Sequence, residues 1–410
     1  MTKRYLDMDV HAAALRRLDF VFEHFSRVYV SFSGGKDSTV LLHLALEAAA
    51  RRGRLPLDVL FIDLEAQYQE TIRHVTAMLG RADVRPHWIC LPIHLRNAVS
   101  GMAPHWLCWD EAAQRRWVRP LPSAPGVIAD AALLPFFRRG MEFEEFTPTF
   151  AEWFSNGEPT ACLVGIRAQE SLNRWRTIRN RRKTTFGGMP WTTRLGPRSN
   201  VFNAYPLYDW TVEDVWTATG RSGWSYNHIY DLMQAAGVPL SSQRICQPYG
   251  DDQRRSLWLY QILEPEVWSR VVARVAGANY GALYSGARIL GNHGVDLPAG
   301  HSWKSYTKLL LRSLPPMAEY HYRGKFLTFL LWWRRHRRQF GVAGVADAGI
   351  RDPERGHNIP SWERLARVII RNDWWCFELK FAATQNEYDW QTAARSGQYL
   401  PRGQRRRHGT

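Results

Sequence analysis

The sequence predicts an α/β protein: a twisted parallel sheet with helices on both faces, followed by a mainly α-helical C-terminal region. Three observations carry that expectation. Short apolar runs at residues 28–32, 58–63, 87–91 and 161–166 alternate with helical periodicity at 12–25 and 67–79. A small-residue turn at 33–38, SGGKDS, joins the first run to the next helix. Beyond Gln253 the chain reads as mostly helical and tryptophan-rich, around Trp258, Trp303, Trp332 and Trp374.

The helix at 12–25 leads into the first strand, and the SGGKDS turn leads out of it. Gly34 and Gly35 let the backbone bend with its N–H groups turned inward. Ser33 and Ser38 add hydroxyls, Lys36 adds a mobile charge, and a helix starting near Asp37 adds the positive end of its dipole. Such a turn is a phosphate cradle, and its spacing differs from GxxxxGK[ST], which disfavours a kinase or GTPase. Strands alternating with helices place ligands beyond the strands' carboxyl ends. Ser33 to Ser38, the acids Asp63 and Glu65, and the turn from Gly165 to Glu170 then share one rim.

Residues 94–155 break the pattern with Trp, Pro and short charged pieces, as an insertion or lid would. Regularity resumes at 161–166, and the next segment, GIRAQESLNR, offers Arg167 and Arg174 as planar forks for phosphate oxygens. Thr211 followed by Asp214 marks a helix start. The domain reading is therefore 1–245 for the nucleotide-binding part, 246–400 for a helical domain and 401–410 for a basic tail.

Composition narrows the function. There are 54 Lys and Arg against 38 Asp and Glu, a formal charge of +16, partly in runs at 179–183, 334–338 and 402–408. That field attracts polyanions: ATP, nucleic acid or an acidic protein. No run approaches the roughly 20 apolar residues that cross a bilayer, and no signal peptide is recognisable, so a cytoplasmic protein is expected. Five scattered cysteines without a CxxC pair suit a reducing compartment. His87, Cys90, His94, His105 and Cys108 are a weak zinc pattern, because HxxCxxxH is not a finger spacing. Cys376, among aromatic neighbours, reads as a buried thiol, and Cys246, near Arg244, Arg254 and Arg255, as the better candidate for a reactive one.

SGGKDS, the G-x-R-x-x-E-S turn and the stretch PLYDWTVEDVW…YNHIYD together resemble the phosphoadenosine phosphosulfate (PAPS) reductase family within the PP-loop ATP pyrophosphatases. The later segments ICQPYGDDQRRSLWLYQILEP and IPSWERLARVIIRNDWWC resemble the IbrA-type proteins, co-activators of prophage gene expression that occur beside a ParB-like partner. The resemblance implies the adenine nucleotide α-hydrolase-like fold and a protein that binds ATP with Mg²⁺ and cleaves the α–β bond. Ser33, Gly34, Gly35, Lys36, Asp37 and Ser38 would hold the phosphates. Phe61, Ile62 and Asp63 would lie near adenine and ribose with Gly165 and Ile166, while Lys36, Arg167 and Arg174 would stabilise developing charge. Asp37, Asp63 and Glu65 are the carboxylates expected to meet Mg²⁺. The ECGLH-like cysteine motif of the reductases is missing, which argues against sulfonucleotide reduction. A nucleotide-sensing regulator, nucleic-acid binding and a homo-oligomer remain compatible with the sequence.

Overall fold

The computed structural model describes residues 7–100, 102–180, 183–245, 249–250, 257–279, 297–338, 343–349 and 360–379. Cys246, Arg254, Arg255 and the basic tail lie outside them. Two compact units are distinguished. One comprises residues up to 93 with 107–248 and 259–270; the other comprises 94–106, 249–258 and the chain from 271 onward. The expected boundary at 245 thus becomes an interleaved one.

The first unit opens with helix α1 (Val10–His24), whose first turn is capped by Asp9 accepting from the amide of Ala12 at 2.7 Å. Strand β1 (Arg27–Ser31) follows, then α2 (Lys36–Arg51), β2 (Leu57–Ile62), α3 (Gln69–Leu79) and β3 (Val84–Ile89). Short strands β4 (His94–Arg96) and β5 (His105–Leu107) lie in or at the edge of the segment 94–106 that belongs to the second unit, and the first unit continues with β6 (Val127–Ile128), α4 (Phe143–Ser155) and β7 (Thr160–Val164). Helix α5 (Leu172–Arg179), strands β8 (Thr192–Arg194) and β9 (Val201–Ala204), and helices α6 (Val212–Ser222) and α7 (Ile229–Ala235) complete the series.

The main sheet has seven strands in the order β6-β3-β2-β1-β7-β9-β8. All pair in parallel except β8, which runs antiparallel to β9 at one edge. The chain grows outward from β1 through β2 to β3 and β6, then returns to place β7 on the other side of β1. The turn after β1 and the turn after β7 therefore face each other at the topological switch point, where open α/β sheets bind ligands. Twelve of the sixteen residues of α2 are buried, including Leu41, Leu42, Leu44 and Ala45, which explains why its text is apolar almost all round. On the opposite face, α4 packs Phe150 and Phe154 edge-on against Tyr29 of β1.

Two expectations are corrected here. The third strand begins at Val84 rather than His87, and its pairing with β2 runs through Pro86. Residues 94–155 are not a lid throughout: β6 joins the main sheet beside β3, and α4 covers one face of it. The helix start at Thr211 is a reciprocal capping box with Asp214.

In the second unit the described helices Trp303–Ser313, Pro316–His336 and Trp362–Ile370 enclose a core that includes Tyr322, Phe326, Phe329, Leu365 and Trp374. Cys376 is fully buried in it. No described helix is long and apolar enough to cross a membrane.

Candidate functional site

The SGGKDS turn connects β1 to α2 with Gly34 at φ +74°, a conformation that favours glycine. A Cβ there would also lie 2.8 Å from Val75 Cγ2. The N-cap of α2 is Gly35, which has no side chain to cap the helix, so the positive end of α2 faces the turn. The loop is braced from within. Ser38 Oγ lies 3.0 Å from Ser33 Oγ and donates to the Gly35 carbonyl at 3.0 Å, and Ser33 Oγ accepts from the Gly35 amide at 3.3 Å. Asn227 Nδ2 donates to the Gly34 carbonyl at 2.9 Å, and the Tyr230 hydroxyl accepts from the Lys36 amide at 3.2 Å.

Lys36 is 4% exposed. Its Nζ donates to the main-chain carbonyl of Gln243 at 2.9 Å, stands 3.6 Å from Asp37 Oδ2 and lies 5.1 Å from the centre of the Tyr230 ring. Burial holds its pKa below the usual lysine range, partly offset by Asp37.

The turn after β7 reaches the same place. Gly165 passes so close to the start of α2 that an added Cβ would lie 3.1 Å from Ser38 Cα and 3.1 Å from Ser38 N. Arg167 Nε donates to Asp37 Oδ1 at 2.5 Å. Glu170 gathers the surrounding cations: its carboxylate accepts from the Arg167 amide at 3.2 Å and from Arg174 Nη1 at 2.6 Å, and its carbonyl accepts from Arg244 Nη2 at 2.5 Å.

A cavity of about 430 Å³ opens between these turns, lined by Ser33, Gly35, Lys36, Asp37 and Ser38 on one side and by Gly165, Ile166, Arg174 and Arg244 on the other. A smaller hollow of about 140 Å³ shares Ser33 and Ile245 with it and is walled by Phe61, Ile62, Leu64, Tyr68 and Tyr260. Tyr68 and Tyr260 stack with centroids 3.9 Å apart.

Several expected residues play other parts. Arg167 is buried, bound to Asp37, and absent from the cavity wall. Asp63 and Glu65 are fully buried and line neither cavity. Asp63 forms an ion pair with Arg119 and accepts from Trp88 Nε1 at 2.8 Å. Glu65 accepts from the amides of Trp109 at 2.7 Å and Val118 at 3.1 Å. Their lone pairs are spent inside the fold, so Mg²⁺ does not fit there. Asp37 does line the cavity, with its Oδ1 held by Arg167. Among the described residues no group of three or more His, Cys, Asp or Glu could hold a metal ion. His87 instead pairs with Asp58 at 2.8 Å. Gln243 and Ile245 were missed by sequence reasoning, because the first contributes a carbonyl that any residue carries. Asn227 and Tyr230 belong to the YNHIYD stretch, whose contacts with the SGGKDS turn do not show in residue type.

Residues 27–236 match the phosphoadenosine phosphosulfate reductase domain family, and residues 237–347 match a domain of unknown function, DUF3440. The chain is 38% identical over 388 residues to the uncharacterized protein YbdN of Escherichia coli, covering 93% of each. It is 26% identical over 251 residues to sulfate adenylyltransferase subunit 2 of Mycobacterium tuberculosis, covering 59% of this chain and 72% of that protein. Among solved structures it is similar to the FMN adenylyltransferase of Candida glabrata, at 14% identity and a TM-score of 0.33, covering 55% of this chain and 62% of that one.

Proposed function

The chain belongs to the phosphoadenosine phosphosulfate reductase domain family, and from that footing we propose that it binds ATP and cleaves the α–β bond, passing adenylate to an acceptor or to water. One observation carries the reading: the glycine-capped start of α2, with Lys36, opens onto a cavity at the switch point between β1 and β7. Helix-start amides and a buried ammonium are complementary to a polyphosphate. The hollow between Phe61, Ile62, Tyr68 and Tyr260 suits an aromatic base beside it.

In the reaction the acceptor oxygen bonds to the α-phosphorus while the bond from that phosphorus to the α–β bridging oxygen breaks. The electron pair leaves with pyrophosphate. Lys36 exchanges the Gln243 carbonyl for a phosphate oxygen, and with the first amides of α2 it stabilises the charge that develops there. Arg174 and Arg244 flank the cavity as further cations, and Arg167 keeps Asp37 and Glu170 in place. This is positional and electrostatic catalysis without a protein nucleophile. Any Mg²⁺ would travel on the phosphates and their waters. The name of the sulfate adenylyltransferase relative supports adenylyl transfer as the reaction class.

Sulfonucleotide reduction is disfavoured. Cys162 lines the cavity, but burial pushes its thiol up to about 12, so it stays protonated at neutral pH. Cys90, Cys108 and Cys376 are also buried, and Cys246 lies outside the described residues. A second reading, a non-catalytic nucleotide sensor, is supported by the Lys36–Gln243 contact, because a nucleotide that draws Lys36 away would release the chain after α7. A ParB-like partner and a phage-related role rest on the IbrA-type resemblance alone.

Incubation with α-labelled ATP and Mg²⁺ tests the reading: labelled AMP or an adenylated product is expected, and Lys36→Ala should abolish it. Saturable ATP binding with no labelled product, with acceptor candidates supplied, would favour the sensor.

A further inference from the structure

The segment 297–338 carries nine Lys and Arg and a single acid, Glu319. Glu319 is already paired with Arg323 at 2.6 Å. On the helix Trp303–Ser313, Trp303, Thr307 and Leu311 are buried, while Lys304, Lys308 and Arg312 stand four residues apart on the exposed side. Over eight residues that row spans about 12 Å. The helix Pro316–His336 exposes Arg323, Arg334 and Arg335, and Arg337 and Arg338 follow directly, also exposed. Among the described acids of this unit, Asp347 accepts from the amides of Trp303 and Lys304, Glu363 pairs with Arg367, and Glu378 pairs with Arg371. Among the described residues, Lys304, Lys308, Arg312, Arg334, Arg335, Arg337 and Arg338 form no ion pair.

Like charges four residues apart on a helix weaken it, so this row brings the fold no stability. Its complement is a polyanion with closely spaced charge. We infer that the exposed face of these helices binds the phosphate backbone of nucleic acid, without reading sequence. Duplex DNA presents one negative charge per about 1.7 Å of axis, and arginine forks suit phosphate oxygens. The inference is independent of the nucleotide site. Leu309 and Leu327, 50% and 58% exposed, make an acidic protein the rival occupant.

Fluorescence anisotropy of the full chain with a labelled random-sequence duplex, titrated with salt between about 50 and 200 mM, tests it. Two variants are compared with wild type: K304Q/K308Q/R312Q, and R334Q/R335Q. All five side chains are exposed, so melting temperature and any ATP-induced thermal shift should persist as controls on folding. The triple variant should bind at least about 10-fold more weakly, with a salt slope shallower by about 2.7 if all three cations meet phosphates, at about 0.9 per contact. The double variant should weaken binding in the same direction. Wild-type affinity and slope in both variants would overturn the inference. So would wild-type protein that ignores duplex at low salt yet binds polyglutamate, which would assign the face to an acidic protein.

Discussion

Lys36 Nζ donates a 2.9 Å hydrogen bond to the main-chain carbonyl of Gln243, 207 residues further along the chain. Gln243 is itself buried and anchored by its own amide, which donates to Gln234 Oε1 and to the Val238 carbonyl, both at 2.9 Å. A segment from the DUF3440-matched region thus supplies the acceptor for the cation of the phosphate loop.

Burial disfavours the charged form of Lys36 in the folded chain. With its native pKa below the unfolded value, the unfolded chain binds more protons between the two, and stability rises with pH through that window. Lys36→Met removes this cost together with the phosphate ligand. The variant also leaves the buried Gln243 carbonyl without its donor, a cost of about 1–3 kcal/mol that opposes the gain, so its melting temperature at neutral pH should stay close to wild type, while ATP no longer protects it. For wild type at 100 times the dissociation constant, protection is about 2.7 kcal/mol. Differential scanning fluorimetry with and without ATP measures both, and an unchanged ATP shift in the variant would remove Lys36 from the site.

Gly165→Ala tests the contact between the two turns. The new methyl meets the backbone of Asp37 and Ser38 at 3.1–3.2 Å, and neither a strand end nor a helix start yields easily. A loss of about 1–3 kcal/mol is expected, together with weaker nucleotide binding because the start of α2 shifts. Chemical denaturation and ATP titration read the two effects. Full stability and wild-type affinity would show that the turns are not tightly coupled.

Asp63→Asn and Arg119→Ala separate a structural ion pair from a metal site. Removing one partner of a buried pair leaves the other charge uncompensated, at about 3–5 kcal/mol, and Asp63 is fully buried. Both variants should lose stability in urea denaturation. The Mg²⁺ concentration giving half-maximal ATP turnover should stay at the wild-type value. A large rise in that concentration for Asp63→Asn alone would restore Asp63 as a cation ligand.

What could be read in the sequence follows from how local each signal is. SGGKDS announces itself because the glycines, the hydroxyls and the helix start are all within six residues. The alternation of β1, α2, β2 and α3 is equally visible, since each element buries its own apolar pattern. Strand β6 has two residues and exists because Trp88 and Ile89 of β3 pair with it, which no local pattern shows. Asp63 looked like a cation ligand because it ends a strand on the ligand rim. The groups that occupy it, Trp88 Nε1 and Arg119, come from 25 and 56 residues away. Gln243 escaped notice for another reason: a carbonyl leaves no trace in residue type.

Two buried histidines beside the loop should make stability fall in mild acid. His43 stacks on Trp224 with centroids 5.0 Å apart, and His74 Nε2 lies 2.9 Å from Thr39 Oγ1 in the first turns of α2. Burial lowers both pKa values to about 4, helped by Arg81 for His43 and by His43 and His228 for His74. Unfolded histidine titrates near 6.5. Between pH 6.5 and 4 the unfolded chain therefore binds more protons than the folded one, and stability declines as pH falls through that window. At about 1.4 kcal/mol per unit, each histidine contributes at most about 3.5 kcal/mol of loss. Because each opposes protonation of the other, the two losses are not independent. His43→Phe keeps a ring against Trp224 and removes one titration; the hydrogen bond to the Ser225 backbone is lost, at about 1 kcal/mol. Urea denaturation at steps from pH 7 to pH 4.5 should show a steep decline for wild type and a shallower one for His43→Phe. Parallel curves for the two proteins would mean that His43 does not gain a proton on unfolding.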